Sequence, residues 1–258
     1  MPDQRTRKQL HRPRVADLVA NDLRTRILSG EVADGEFLPT QDQLLEEFGV
    51  SMASIREALR ILETEGLVTV VRGSAGGGVV RLPTEDRVAY MMALVLQTQR
   101  TTLDDVASVM RSLEPVCAAS AAQRPDRADT IVPALRANIR ASEEAIDDTP
   151  AFVRLARAFH EEFVAGCGNN TLTLLVGAVE RLWSVHVETL GTDQDDIGSF
   201  DDMEFRLASL ASHAAIVDAI EGGDAMRAAE LVALHMSAPE MHSFIGQGRR
   251  IEAWHLRD

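Results

Sequence analysis

Seven histidines are spread through the 258-residue chain, and three of them, His160, His213 and His235, fall on three different stretches with helical periodicity. Three imidazoles that converge inside a helical bundle can hold Zn²⁺ or Ni²⁺ and leave one coordination position for water or a ligand. Spacing leaves convergence open, and read one at a time each is a half-buried structural histidine. Arg111 is a second residue with chemistry to offer. A buried guanidinium clamps a carboxylate or phosphate through its planar fork; on an exposed face Arg111 would instead pair with Glu114, three residues on. The third is Arg56. Among Ser51, Met52, Ser54 and Arg56, near the start of an amphipathic helix, it alone can make a bidentate contact with guanine. The plainer reading is a solvated surface arginine, since no carboxylate lies one turn away. Cys117 and Cys167 are too few for a disulfide framework or a cysteine metal site and read as small apolar residues.

The elements that position these residues divide at about residue 83. From Arg14 to Gly30, Val15, Leu18, Val19, Leu23, Ile27 and Leu28 follow helical spacing. Thr40 can cap a short helix that Gly49 ends, and Ser51 a third that Gly66 ends. Leu67–Arg72 and Gly78–Leu82 read as strands around a Gly73–Gly77 hairpin tip. Beyond Pro83 the strand signal nearly vanishes. Helical stretches are expected at 85–99, 102–122, 126–146, 150–167, 170–190, 203–221 and 224–244, with Pro115 and Pro133 kinking or splitting two of them. Thr149 before Pro150, and Asp224, read as N-caps; Asn169 or Asn170 reads as a cap rather than a ligand. The aspartate-rich segment 191–202 reads as an exposed loop. His11 belongs to the arm, while His186, His242 and His255 have no grouping. The fold class is mainly α: a winged helix-turn-helix followed by an all-α antiparallel bundle of about seven helices. The expected domains are a basic flexible arm at 1–13, a DNA-binding domain at 14–82 and a helical domain at 83–258.

Charge supports that division. The net charge is −14, which by itself argues against a nucleic-acid partner. Yet residues 1–82 carry 11 Lys+Arg against 12 Asp+Glu, and residues 83–258 carry 15 against 28. The arm holds Arg5, Arg7, Lys8, Arg12 and Arg14 against Asp3. Acidity therefore belongs to the second part, and whole-chain charge is a poor guide to partners. No apolar run is long enough to span a membrane, and MPDQRTRKQLHRPR has no apolar signal core, so a cytoplasmic location is expected.

In a helix-turn-helix the second helix enters the major groove. Leu38-Pro39-Thr40, Phe48-Gly49-Val50-Ser51 and Arg56-Glu57-Ala58-Leu59-Arg60-Ile61-Leu62-Glu63-Thr64-Glu65-Gly66-Leu67-Val68 together resemble the winged helix of GntR-family transcription regulators. The likeness covers most of residues 14–82. It implies DNA contacts from Thr40, Gln41, Ser51, Ser54 and Arg56, and from Arg72, Gly76 and Gly77 of the wing. Two family arginines are absent: Thr40-Gln41-Asp42 stands where Ser-Glu-Arg is usual, and Met52 follows Val50-Ser51. That shifts expected contacts to Gln41, Ser54 and the arm.

The second part is similar to the FCD effector domain of the FadR subfamily. The residues that carry this likeness are Arg111-Ser112-Leu113-Glu114, Phe159-His160, Asn169-Asn170, His213 through Ile220 and Gly223-Asp224 through His235. The resemblance groups His160, His213 and His235 as a metal and effector site, with Arg111 as an effector clamp. It places an aspartate one helical turn before the first histidine, where this chain has Ala156. It also implies a homodimer on a pseudo-palindromic operator and a small effector, often a carboxylate. The function implied is an effector-controlled DNA-binding regulator, not an enzyme. Two other readings compete. One is a metal-free acyl-CoA or fatty-acid sensor. The other is a metal-dependent hydrolase, against which Glu161, adjacent to His160, points about 100° away on the same helix.

Overall fold

The computed structural model describes residues 14–71, 77–190, 202–237 and 248–256. Its contacts divide the chain into two compact units, one through Thr84 and one from Glu85.

The first unit is three helices and a two-stranded wing. Helix α1 (Val15–Leu28) buries Val19, Ala20, Leu23 and Ile27 on one face. Helix α2 (Gln41–Phe48) starts where Thr40 accepts from the Gln43 amide, and the Gln43 side chain returns a bond to the Thr40 amide. Gly49 ends it at φ 61°, a left-handed value that turns the chain tightly into the next helix. Helix α3 (Met52–Glu65) is capped by Ser51 and buries Ile55, Ala58, Leu59 and Leu62. Arg24 on α1 holds Glu65 through two nitrogens, bracing α1 on α3. Strand β1 (Val68–Val71) pairs antiparallel with β2 (Gly77–Val80), with Val68 opposite Val80 and Val71 opposite Gly77. The incoming chain at Leu38 donates to the Gly78 carbonyl. Gly78 must be glycine, because a Cβ there would sit 2.3 Å from Val68 Cγ1 and 3.3 Å from Leu38 Cδ1.

The second unit contains α4 (Glu85–Thr98), α5 (Leu103–Gln123), α6 (Arg127–Thr130), α7 (Val132–Glu144), α8 (Thr149–Ala165), α9 (Asn170–Leu190), α10 (Met203–Gly222) and α11 (Ala225–Met236). One core joins all of them but the short α6, with Phe152, Phe159 and Phe163 of α8 fully buried. Helix α5 runs as one element through Pro115, so the chain does not take the expected split there. Burial on both sides of the proline, at Met110, Glu114, Cys117 and Ala118, holds the helix together despite the lost amide bond. The 126–146 stretch does split, at Ile131, and Pro133 falls in the first turn of α7. The cap of α8 is Asp148, which accepts from the Ala151 amide, rather than Thr149. The Thr149 hydroxyl instead accepts from Arg206 of α10. Asn169 caps α9 by accepting from the Thr171 and Leu172 amides, and Asp224 caps α11. Helix α11 ends at Met236, and the rest of the expected 224–244 stretch, except Ser237, lies outside the described residues, as does 191–201.

The 248–256 segment, for which no element was expected, returns to this core. The Leu103 amide donates to the Arg249 carbonyl and the Ile251 amide to the Thr101 carbonyl, while Ile251 and Ala253 are buried. His186 is therefore not ungrouped. Its Nε2 accepts from the Glu252 amide at 2.9 Å, and its ring packs edge-on to His255. His11 and His242 lie outside the described residues. Cys117 and Cys167 are both buried free thiols, in keeping with apolar packing; burial, and then the neighbouring Cys167 sulfur, push the Cys117 thiol above its ordinary range. No described helix is long and apolar enough to cross a membrane.

Candidate functional site: a recognition helix and a three-histidine centre

In the first unit the expected DNA-contacting residues gather at the start of α2 and the start of α3. Thr40 and Ser51 are both engaged as caps: Ser51 Oγ accepts from the Ser54 amide, and the Ser51 and Ser54 hydroxyls lie 3.0 Å apart. Arg56 is exposed on α3, and its Nε donates to Gln41 Oε1 at 3.3 Å. Among the described residues its two terminal nitrogens have no partner. Local spacing gives no sign of this cross-turn bond, because Gln41 and Arg56 are 15 residues apart. Arg60 pairs loosely with Glu57 at 3.8 Å, and Glu63 instead accepts from the Val70 amide. Gly77 opens β2 and is buried opposite Val71, so it belongs to the ladder rather than to the open tip. Arg72 and Gly76 lie outside the described residues.

In the second unit three helices bring the three histidines together. His160 comes from α8, His213 from α10 and His235 from α11, and their ligand atoms all lie within 4.8 Å of one another. His235 Nε2 is 3.2 Å from His160 Nε2 and 3.3 Å from His213 Nε2. Tetrahedral zinc, with Zn–N of about 2.0–2.1 Å, sets its nitrogens roughly 3.3–3.4 Å apart, so the two pairs that His235 makes stand at the spacing of one ion, and the His160–His213 pair lies within 4.8 Å. The protons point the same way. A neutral imidazole nitrogen carries either one proton or one lone pair. His235 Nε2 can therefore satisfy only one of its two close contacts, and a shared cation relieves the other.

Burial makes these histidines ready ligands. Desolvation pushes His160 down to about 4 and His235 to about 3, and carries His213 well below its usual range. All three are neutral near pH 7, as coordination requires. Phe159 stacks on His213, and Phe163 packs against the tilted His160 ring. Ala156, one turn before His160, is half-buried and has no donor to offer. Behind His160 stands a residue that by spacing alone would pair with Arg111. Glu114 of α5, fully buried, lies with Oε2 2.6 Å from His160 Nδ1. Burial pushes its carboxyl up to about 8.

Because Glu114 faces His160, the alternative ion pair between Arg111 and Glu114 does not form. Arg111 is half-buried and makes no hydrogen bond or ion pair among the described residues. Glu161 pairs with Arg157 at 3.3 Å. The three-histidine set thus fits a divalent metal, with three neutral nitrogens at ligand spacing and an acceptor on the far side of one ring.

Comparison with known proteins agrees with both halves of this description. Residues 16–76 match the bacterial regulatory proteins of the gntR family, and residues 105–238 match the FCD domain. The HTH-type transcriptional repressor NanR of Enterobacter sp. (strain 638) is 26% identical over 249 residues, covering 95% of this chain and 91% of NanR. An uncharacterized HTH-type transcriptional regulator of Mycobacterium tuberculosis is 29% identical over 234 residues, 88% of each chain. The solved structure of Streptococcus agalactiae GntR shares the fold, with a TM-score of 0.67 at 24% identity, over 88% of this chain and 99% of that one. With an N-terminal helix-turn-helix and a C-terminal helical FCD domain, the chain belongs to the gntR family of bacterial regulatory proteins and is a transcriptional regulator.

Proposed function

We propose that this regulator is a homodimer of the FadR subfamily. Its affinity for a pseudo-palindromic operator is set by a carboxylate-bearing small molecule bound at the three-histidine centre. The convergence of His160, His213 and His235, with both nitrogen contacts of His235 at zinc-like spacing, carries the effector part of this reading. A divalent zinc or nickel ion on the three Nε2 atoms would supply a Lewis-acid anchor for an anionic ligand. With Ala156 in place of an acidic ligand, the protein gives that ion no direct negative charge, and a coordination position is left to the effector's carboxylate. Arg111, half-buried on α5 and without a partner among the described residues, is the side chain we assign to a second anionic group.

On the DNA side, α3 enters the major groove. Arg56 reads guanine, Gln41 holds its Nε side, and Ser51 and Ser54 settle the helix start against phosphates. Gly76 and Arg72 of the wing and the 1–13 arm add contacts that do not depend on sequence. Effector and operator affinities are then linked reciprocally. Repression relieved by the effector is the sign we adopt, as relatives named NanR, from Enterobacter, Salmonella and Escherichia coli, are described as repressors.

The test is a native mass spectrum of untagged protein purified without added metal or chelator, paired with gel-shift assays at moderate salt. The expected species is a dimer with about one metal per chain, as one such site per subunit requires. It should prefer DNA from its own upstream region to random DNA. A metal-free dimer overturns the metal centre, and equal binding to both DNAs overturns the operator reading.

A further inference from the structure

The close contact between Glu114 and His160 has no counterpart at the other two histidines. Among the described residues, neither His213 nor His235 has a carboxylate on its remaining ring nitrogen. Glu114 is wholly buried on α5, Oε2 lies 2.6 Å from His160 Nδ1, and Oε1 has no hydrogen-bond partner. The carboxyl is therefore not held in a wider structural network. A fully buried carboxyl with one partner is costly to the fold, and its one partner is an imidazole whose other nitrogen faces the site.

We propose that Glu114 is the positioning residue of the metal centre, supplying from behind His160 the negative charge that Ala156 withholds from the direct ligand set. The inference rests on the three-histidine reading above. With a cation on Nε2, the buried Glu114 carboxyl gives up its proton, and the carboxylate then accepts from Nδ1–H; this fixes His160 in the tautomer whose Nε2 carries a lone pair and raises the donor strength of that nitrogen. The same bond locks the ring's rotation, so Nε2 stays aimed at His213 and His235. The direct position one turn before His160 is then free for the effector's own carboxylate. The charge still sits within the buried shell, one imidazole away from the ion.

The experiment uses the full-length protein, stripped with chelator and titrated with Zn²⁺ alone against a chromophoric competitor. The variants are Glu114→Gln, Ala156→Asp and the double variant. Glutamine keeps the shape and an acceptor oxygen but removes the charge, so Glu114→Gln is expected to weaken Zn²⁺ binding about 10- to 100-fold. Ala156→Asp is expected to strengthen binding, and in its presence Glu114→Gln should cost much less, because the charge then comes from a direct ligand. Wild-type-like Zn²⁺ affinity in Glu114→Gln, or equal losses with and without the Ala156→Asp change, overturns the proposal while leaving the three-histidine site intact. Failure of the wild type itself to bind Zn²⁺ overturns the site reading, and Glu114's role with it.

A second measurement covers the case in which Glu114→Gln does not fold. In ¹⁵N-histidine spectra of the zinc-loaded wild type, His160 should appear as the Nδ1–H tautomer with a strongly deshielded proton. A His160 Nδ1 proton no more deshielded than those of His213 and His235 overturns the proposal without any variant.

Discussion

Phe159 lies flat on His213, with ring centroids 4.0 Å apart and planes 7° from parallel. The two residues come from different helices, α8 and α10, and Phe159 is itself adjacent to His160. One buried ring thus sets the face of one histidine while its backbone carries the next. Phe159→Ala should cost about 3–5 kcal/mol of stability as a large core truncation. Phe159→Leu should cost less and still loosen His213, seen as weaker Zn²⁺ binding at unchanged fold. Unchanged Zn²⁺ affinity in a folded Phe159→Leu protein would remove the stacking role.

The wing has a comparable single point of failure. Gly78→Ala puts a methyl 2.3 Å from Val68 Cγ1, on the buried side of the hairpin. Overpacking of that kind costs about 1–3 kcal/mol. Weakened operator binding together with a lower melting temperature of the first unit is expected. A Gly78→Ala protein with wild-type melting would show that the strands can separate without penalty.

At the recognition helix, Arg56→Ala is expected to cost about 1–3 kcal/mol of operator affinity and to relax discrimination at one guanine of each half-site. Gln41→Ala should cost less and act through Arg56, so the double variant should lose little more than Arg56→Ala. A binding-site selection on random DNA checks both. Additive losses would mean that Gln41 reads DNA by itself.

The pH dependence of the metal-free protein follows from the buried groups. His160, His213 and His235 are depressed below their unfolded value near 6.5, to about 4 for His160 and about 3 for His235. Between about 4 and 6.5 the unfolded chain binds more protons at these sites, so their contribution to stability grows as pH rises and is complete above 6.5. Glu114 and Glu180 act in the opposite sense. Burial raises them to about 8 and about 9, so the folded chain holds the extra protons and stability falls as pH rises from about 4.5 through those values. Above 6.5 only the carboxyl slope remains. Stability of the second unit is therefore expected to peak near about pH 6.5 and decline towards about 8. Denaturation in chelator can follow it through the two tryptophans, Trp183 and Trp254, both in this unit. Glu180→Gln should reduce the alkaline decline by up to about 1.4 kcal/mol per pH unit. A flat profile across that alkaline range in the wild type would contradict the burial of these carboxyls.

Local chemistry was legible without the fold. Thr40, Ser51 and Asp224 cap helices because each bond spans only three residues, and Gly49 and Gly66 end helices where a left-handed backbone is required. The order of three helices and a hairpin, then helices alone, follows from periodicity that is itself local. Where two local options competed, as between Asp148 and Thr149 at the start of α8, the choice went to the pair that also let Thr149 accept from Arg206 on a distant helix.

Relationships between residues far apart in the chain came instead from packing. Pro115 survives inside α5 because its neighbours are buried on both sides. Glu114, near enough to Arg111 to suggest an ion pair, turns instead to His160, 46 residues away. Resemblance grouped the three histidines, but their nitrogen spacing comes from how α8, α10 and α11 pack. His186 and Glu252 meet only because the 248–256 segment folds back on the core. In each case the sequence specifies the chemical group, and the burial of apolar faces elsewhere sets its partner, since a buried polar atom must take whichever counterpart the packing brings within reach.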